Sequence, residues 1–464
     1  MIKQLGSFLA DKFKKWIPDP FVFALILTLI TGVLALLVVD TTPHKVVEAW
    51  YKGFWILLEF GMQITLMLVT GYCIALSPVV SRAIDWLSDK VKTPAAVYGF
   101  VVFVGGLFSL VSWGWMVLTA VLARELAQRV KDIDYAYLTA CVYLSAGPWV
   151  CGLSSSIPLL LNTENNFLIK TGVLSSTIDI QYTLGSTLNL TYMVMYIIAF
   201  PLIMIKLRPS KERTIDLEQL REEENKQVSL TVAEEAETLK QPGKTLSDTL
   251  NNDSILQTAV LLCGFWYIGW HFYTKGFDIN LNIMIFIFIM AGMLCHRTPV
   301  RYVVAMKRAC GNVSGIIFQY PFYGGIMGLM MFTGLAAAIS QWMAAQATVE
   351  SLPVIAFLSG AIVNFAIPSA GGEWAVIGPA FVETAKTLGA AMSPEALNAF
   401  IARIALAVAY GESSTNLLQP FFLLIILPVM GAGVRIQARD VMGHLAIPFM
   451  VILLVASIFV TCFP

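Results

Sequence analysis

The sequence predicts an all-α polytopic membrane protein with two inverted-topology repeats, each carrying a re-entrant helical hairpin and a broken transmembrane helix. Three observations predict it. First, the 464 residues are 57% hydrophobic and only 13% charged, about half the ~25% charge of soluble domains. Second, the apolar stretches are unbroken rather than alternating. They therefore read as helices, which satisfy their own backbone in lipid. Third, unusual polar interruptions recur at nearly one offset. "GLSSS" at Gly152–Ser156 is matched by "GESST" at Gly411–Thr415, 259 positions later (411 − 152). Trp115 and Trp374 are also 259 apart (374 − 115), and Gln63 and Gln319 are 256 apart (319 − 63). A shared order at one spacing is the signature of duplication.

Taken in order, residues 1–19 form an interfacial helix, with Leu5, Phe8, Leu9, Phe13 and Trp16 on one face and Lys12, Lys14 and Lys15 elsewhere. The run from Phe21 ends in Asp40-Thr-Thr-Pro without a small-residue cleavage site. It reads as a retained span rather than a signal peptide. The first repeat occupies 20–205, with apolar segments near 54–77 and 187–205 flanking a hairpin at about 95–125 and a broken helix at about 135–163. Residues 206–255 are a charged linker whose mixed-sign run near Asp216–Lys226 reads as a surface helix. A connecting span at 256–272 precedes the second repeat, 279–464. That repeat holds a span at 313–339, a hairpin at about 353–388 and a broken helix at about 397–430.

The hairpins are inferred from length. The segment from Pro353 to Leu388 is interrupted by "IPSAGGEW", which is turn chemistry. Each arm of ~14 residues spans roughly 21 Å, short of the ~30 Å hydrocarbon core. The earlier hairpin turns at "LVSWGW", Leu110–Trp115. Lys and Arg mark cytoplasmic loops. Following Lys12, Arg82, Arg129, Lys206 and Arg301 along the chain places the two hairpins on opposite sides. The 256–272 span supplies the inversion. Inverted repeats whose broken helices meet at mid-membrane are typical of secondary transporters.

Broken helices free backbone N–H groups for anions and carbonyls for small cations. This locates a site among the hairpin turns and the two breaks. The expected substrate contacts are Ser112, Gly114, Ser154, Ser155, Ser369, Gly371, Gly372, Ser413, Thr415 and Asn416. Gly411 is expected to open its helix. Glu373 and Glu412 are the two acids in the breaks, and with Ser156 and Ser414 they are the candidates for cation coupling. An ionisable group at membrane depth is a functional hypothesis by default. The plainer alternatives are that Glu373 caps its hairpin arm, that Glu412 pairs with Arg403, and that the serines N-cap the following half-helices. Gln63, Gln319 and Gln419 are expected to hydrogen-bond within the bundle.

Other chemistry finds no support. "GESST" lacks the final Gly of a nucleophile elbow, no phosphate-binding Gly-rich loop with Lys is present, and the four histidines do not cluster. The seven cysteines form no C-x-x-C and read as small hydrophobes. Neither an enzyme nor a cofactor is expected, and no metal beyond Na⁺. A formal net charge of zero points away from nucleic acid as a partner.

"PDPFVFALILT" (Pro18–Thr28), "LVTGYCIA" (Leu68–Ala75), "IPSAGGEWAVIGP" (Ile367–Pro379) and "GESSTNLLQPF" (Gly411–Phe421) resemble the bacterial short-chain fatty acid transporter family. That family lies within the ion-transporter superfamily of hairpin-bearing elevator transporters. The resemblance covers nearly the whole chain. It implies uptake of small monocarboxylates such as acetoacetate or butyrate across the bacterial inner membrane, driven by a Na⁺ or H⁺ gradient, by a homodimer in the lipid bilayer. The superfamily's dicarboxylate carriers place Ser-Asn-Thr at their hairpin tips. Here the tips read Ser112-Trp-Gly and Ser369-Ala-Gly, so only Ser carries over, which fits a smaller, singly charged substrate. Transport of other organic anions such as dicarboxylates, or an ion channel, are the alternative readings.

Overall fold

A computed structural model describes residues 18–153, 155–164, 166–170, 172–211, 214–221, 231–239, 245–276, 281–311 and 313–463. The interfacial helix expected within 1–19 lies almost wholly outside these residues, as does the charged run after Arg221.

The described residues are mainly helical. In the first half, α1 (Pro20–Val38), α2 (Pro43–Gly53), α3 (Leu58–Ala75) and α4 (Pro78–Ser88) lead into a helical hairpin, α5 (Pro94–Val111) and α6 (Met116–Arg129). An interrupted helix follows as α7 (Tyr135–Ser145), a 3₁₀ turn at Gly147–Cys151 and α8 (Ser156–Asn162), and then α9 (Thr187–Leu207). A connecting helix α10 (Ile255–Lys275) precedes the second half: α11 (Leu281–His296), α12 (Pro299–Cys310), α13 (Ser314–Phe332) and α14 (Leu335–Ala344). Then come the second hairpin, α15 (Leu352–Val363) and α16 (Ala370–Leu388), the interrupted pair α17 (Pro394–Thr415) and α18 (Leu423–Met430), and α19 (Ala446–Cys462).

The halves repeat the same helix order. Pro43 and Pro299 open equivalent helices 256 positions apart (299 − 43), and Thr187 and Ala446 open equivalent helices 259 apart (446 − 187). Helix α10 is the odd element between them. The duplication thus extends to two helices per half that unbroken apolar runs do not set apart: α2 with α12, and α4 with α14. The expected single span at 313–339 is in fact two helices bent by 56°. The bend falls at Gly334, whose φ of 82° is a left-handed conformation that costs glycine nothing. Its counterpart is the 60° bend between α3 and α4.

Six helices among the described residues are long and apolar enough to cross a membrane, and three further bent pairs pass the same test together. Helix α1, with 19 residues, is roughly 28 Å long. Its Leu29 and Leu37, like Leu262, Trp266 and Tyr273 on α10, stand exposed. Large apolar side chains on the outside of apolar helices of this length face lipid, not water.

Reciprocal ties join the halves. Arg124 on α6 donates to the carbonyls of Val429 (2.5 Å), Met430 (3.2 Å) and Ala432 (2.5 Å) at the end of α18. Lys386 on α16 donates to the carbonyl of Val173, beyond α8, at 2.7 Å. In each case the second arm of one half's hairpin holds the chain leaving the other half's interrupted helix.

Candidate functional site

The second interruption is not where the sequence suggested. Gly411 does not open its helix: α17 runs through Gly411 and Glu412 to Thr415, and the chain breaks only at Asn416–Phe422 before α18, with a 43° bend. Gly411 instead permits close packing. A Cβ there would collide with the carbonyl of Phe357 on the hairpin arm α15. The polar knot is therefore the buried last turn of a helix. Ser414 donates to Tyr410 O at 2.6 Å and Thr415 to Gly411 O and Glu412 O at 3.3 Å, so their hydroxyl protons are already used within α17. The matching stretch of the first half leaves the α-helix earlier: α7 ends at Ser145 and the chain passes through the 3₁₀ turn Gly147–Cys151. Gly152 passes so close to Leu110 that Leu153 N–H donates to Leu110 O at 2.7 Å.

Both hairpin turns and both interruptions surround a cavity of about 90 Å³. The first half contributes Trp113, Met116, Tyr143, Ala146, Gly147, Trp149 and Ser156; the second contributes Pro368, Ser369, Ala370, Ser413, Asn416, Leu417 and Phe422. No Lys, Arg or His is among these residues. Its volume is well under the ~300 Å³ at which pockets for drug-sized ligands begin. The polar groups at its wall include the hydroxyls of Ser156, Ser369 and Ser413 and the amide of Asn416. Ser413 ties the last turn of α17 to the first interruption by donating to Gly147 O at 2.7 Å. Ser369 N-caps α16, accepting from Gly372 N at 3.4 Å, so the start of a 19-residue helix lies at the cavity wall.

Of the expected substrate contacts, Ser369, Ser413 and Asn416 line the cavity, as does Ser156, expected as a cation ligand. Ser154 lies outside the described residues. Ser155 occupies the N-cap position of α8 but makes no side-chain cap, and its buried hydroxyl has no hydrogen-bond partner among the described residues. Ser112 caps α5 beside Trp113. Gly114 and Gly372 face methionines instead of the cavity: Gly114 abuts Met67 on α3 and Gly372 abuts Met327 on α13. Gly371 packs toward Ser156. The aromatic wall of Trp113, Tyr143, Trp149 and Phe422 was not anticipated, because apolar residues in apolar segments carry no mark of a binding role.

Glu373 and Glu412 are both fully buried, and neither is among the residues that line the cavity. Arg403 is not a partner of Glu412, since it donates to Val460 O (2.9 Å) and Thr461 O (2.6 Å). Instead, Asn416 donates to Glu412 Oε1 at 3.1 Å. Neither carboxylate oxygen of Glu373, nor Glu412 Oε2, has a hydrogen-bond partner among the described residues, and the same holds for the side-chain oxygens of Asn364 and Gln419. Asn364, at the end of α15, is a residue that sequence reasoning missed. Its amide donates to Glu412 O (3.0 Å), Thr415 Oγ1 (3.0 Å) and Asn416 Oδ1 (2.8 Å). Gln419 also donates to Asn416 Oδ1, at 3.0 Å, and Tyr143 donates to the carbonyls of Asn416 (2.6 Å) and Gln419 (3.1 Å). Asn416 is thus shared: its side chain reaches the cavity and the buried Glu412. Gln63, by contrast, donates to Asn282 Oδ1 at 2.8 Å and does not line the cavity.

Paired hairpins and paired interrupted helices, closing on a small cavity inside a multi-pass helical membrane protein, define the class to which this molecule belongs. The chain belongs to the short chain fatty acid transporter family, whose sequence profile matches residues 1–463. It is 35% identical over 449 residues to a protein of Escherichia coli (strain K12) named for short-chain fatty acid transport, covering 96% of each chain. A Haemophilus influenzae protein of the same name (strain ATCC 51907 / DSM 11121 / KW20 / Rd) is 33% identical over 450 residues, again with 96% of each covered. The solved YdaH transporter of Alcanivorax borkumensis aligns with 96% of this chain and 98% of its own. Its identity is 18% and its TM-score 0.40, too distant a superposition to bear on the fold.

Proposed function

We propose that the protein takes up short-chain fatty acids across the bacterial inner membrane by cation symport, with the hairpins and interrupted helices moving as a body against the remaining helices in an elevator-type cycle. The observation that carries this reading is the cavity itself, joined through Asn416 to a buried acid. Its size and aromatic wall suit a short aliphatic chain. The hydroxyls of Ser156 and Ser369, the Asn416 amide and the start of α16 suit one carboxylate, because oriented N–H and O–H donors bind an anion without a formal countercharge. A second carboxylate would have no cationic partner there, so monocarboxylates fit better than dicarboxylates.

Coupling follows from the buried acids. An ionised carboxylate without hydrogen-bond partners in a dry interior costs several kcal/mol. It would also repel a substrate anion. A proton or Na⁺ bound among Glu373, Glu412, Asn364 and Gln419 relieves both penalties, and oxygen donors suit a hard cation. The cation then raises substrate affinity and the substrate raises cation affinity by the same factor. Ser414 and Ser156, the other expected cation ligands, fit less well: one hydroxyl is bonded within α17 and the other lies at the cavity wall.

Proteoliposomes test this. Labelled butyrate or acetoacetate should accumulate above its external concentration when an inward Na⁺ or H⁺ gradient is imposed. Replacing Na⁺ by choline at fixed pH separates the two ions. Passive equilibration that ignores both gradients would overturn the symport reading.

A further inference from the structure

A second cavity, of about 690 Å³, shares no residue with the first. It opens where the α3–α4 bend, the end of α11 and the start of α12 meet α6 and the short linker helix Val232–Thr238. Arg82, Arg297, Arg301 and Arg308 line it, together with His296 and a single acid, Glu125. Glu125 is already paired with Arg129 at 2.7 Å. Arg308 is held by Glu235 of the linker helix, which makes that helix one wall of the cavity. Arg82, Arg297 and Arg301 have no acidic partner at ion-pair distance among the described residues.

Basic residues at these chain positions also orient the spans, but orientation asks only for charge on one side. It does not ask that arginines 215 positions apart (297 − 82) converge on one concave surface. Nor are all basic residues of the region gathered there: Lys92 and Lys307 do not line the cavity. The volume falls within the ~300–1,000 Å³ of small-molecule sites. Guanidinium groups recognise phosphate through paired N–H donors.

We propose that this cavity binds a phosphate-bearing anion carrying two or more charges, with Arg297 and Arg301 as its principal contacts. The shared chemistry is a phosphate group, whether on a soluble phosphate compound or an anionic lipid headgroup. The test uses the full chain purified in a zwitterionic detergent. Pyrophosphate binding is measured by thermophoresis, and phosphatidylglycerol retention by native mass spectrometry. For Arg297→Gln with Arg301→Gln we expect at least a ten-fold weaker affinity for the probe that binds. Lys92→Gln with Lys307→Gln removes the same formal charge and should leave affinity unchanged. Arg297→Lys with Arg301→Lys should retain part of it, and an unaltered size-exclusion profile verifies folding of each variant. Pyrophosphate binding assigns a soluble ligand; phosphatidylglycerol that pyrophosphate does not displace assigns the lipid. Absence of binding by both probes at millimolar concentration, or equal losses in the Gln pairs, overturns the proposal.

Discussion

Asn416 is the residue on which the proposed coupling turns. Its side chain faces the small cavity, donates to Glu412 and accepts from Asn364 and Gln419. Glu412→Gln keeps the size of the side chain and an oxygen for Asn416 but removes the charge that a cation would neutralise. We expect uptake in proteoliposomes to lose at least nine-tenths of its stimulation by the cation gradient, with folded protein recovered at wild-type yield. Wild-type stimulation in that variant would move the coupling site to Glu373. Asn364→Leu makes a different prediction. It removes a donor that serves three acceptors in a fully buried place, so the variant should lose about 1–3 kcal/mol of stability, seen as a lower thermal unfolding midpoint. An unchanged midpoint would show that those acceptors find other donors. The acids were legible in the sequence because charge at membrane depth is conspicuous. Asn364 was not, since a single amide in "IVNFAIP" resembles any other polar residue near a turn. Only folding shows that it reaches across to α17.

At the scale of helices, the polar knot and the break are separate features that sequence reasoning merged. A run of Gly, Ser, Thr and Asn looks like an opened backbone, yet every residue from Gly411 to Thr415 is helical. The surrounding helices supply what the knot lacks: α15 packs against its glycine, and Asn364 bonds its carbonyl and hydroxyl acceptors. Gly411→Ala therefore tests packing rather than flexibility. Its methyl group would force α15 and α17 apart, at a cost of about 1–3 kcal/mol. A helix-opening role predicts the opposite sign, because alanine favours helix over glycine by about 1 kcal/mol. The direction of the shift in unfolding midpoint separates the two. The amphipathic helices α2, α4 and α12 escaped notice because a search for unbroken apolar runs passes over helices with a polar face, and the first half of α14 merges with α13 into one apolar span. A signal was present: Thr42-Pro43, Ser77-Pro78 and Thr298-Pro299 are each a capping residue followed by proline at a helix start.

For the whole molecule, the repeat makes a mechanical prediction. Each hairpin turn touches the third helix of its own half through a glycine facing a methionine: Gly114 with Met67, and Gly372 with Met327, whose Cε lies 3.4 Å from where a Cβ would stand. Those contacts join the elements that enclose the cavity to helices outside it. If the hairpins travel against α3 and α13, as the elevator reading requires, these contacts must break and re-form in each cycle. Met67→Cys with Gly114→Cys, or Met327→Cys with Gly372→Cys, places two thiols across one such contact, and removing each methionine makes room for the new side chain. Bridging either pair with a short cleavable thiol crosslinker should stop net uptake in proteoliposomes while leaving butyrate binding to purified protein within about two-fold. Reducing the crosslinker should restore transport. The single cysteine variants under the same treatment control for reaction at native cysteines, of which Cys263, Cys310 and Cys462 are exposed. Full uptake by a completely crosslinked protein would mean that the hairpins do not move past these helices. Substrate would then have to pass a fixed cavity whose two sides open in turn.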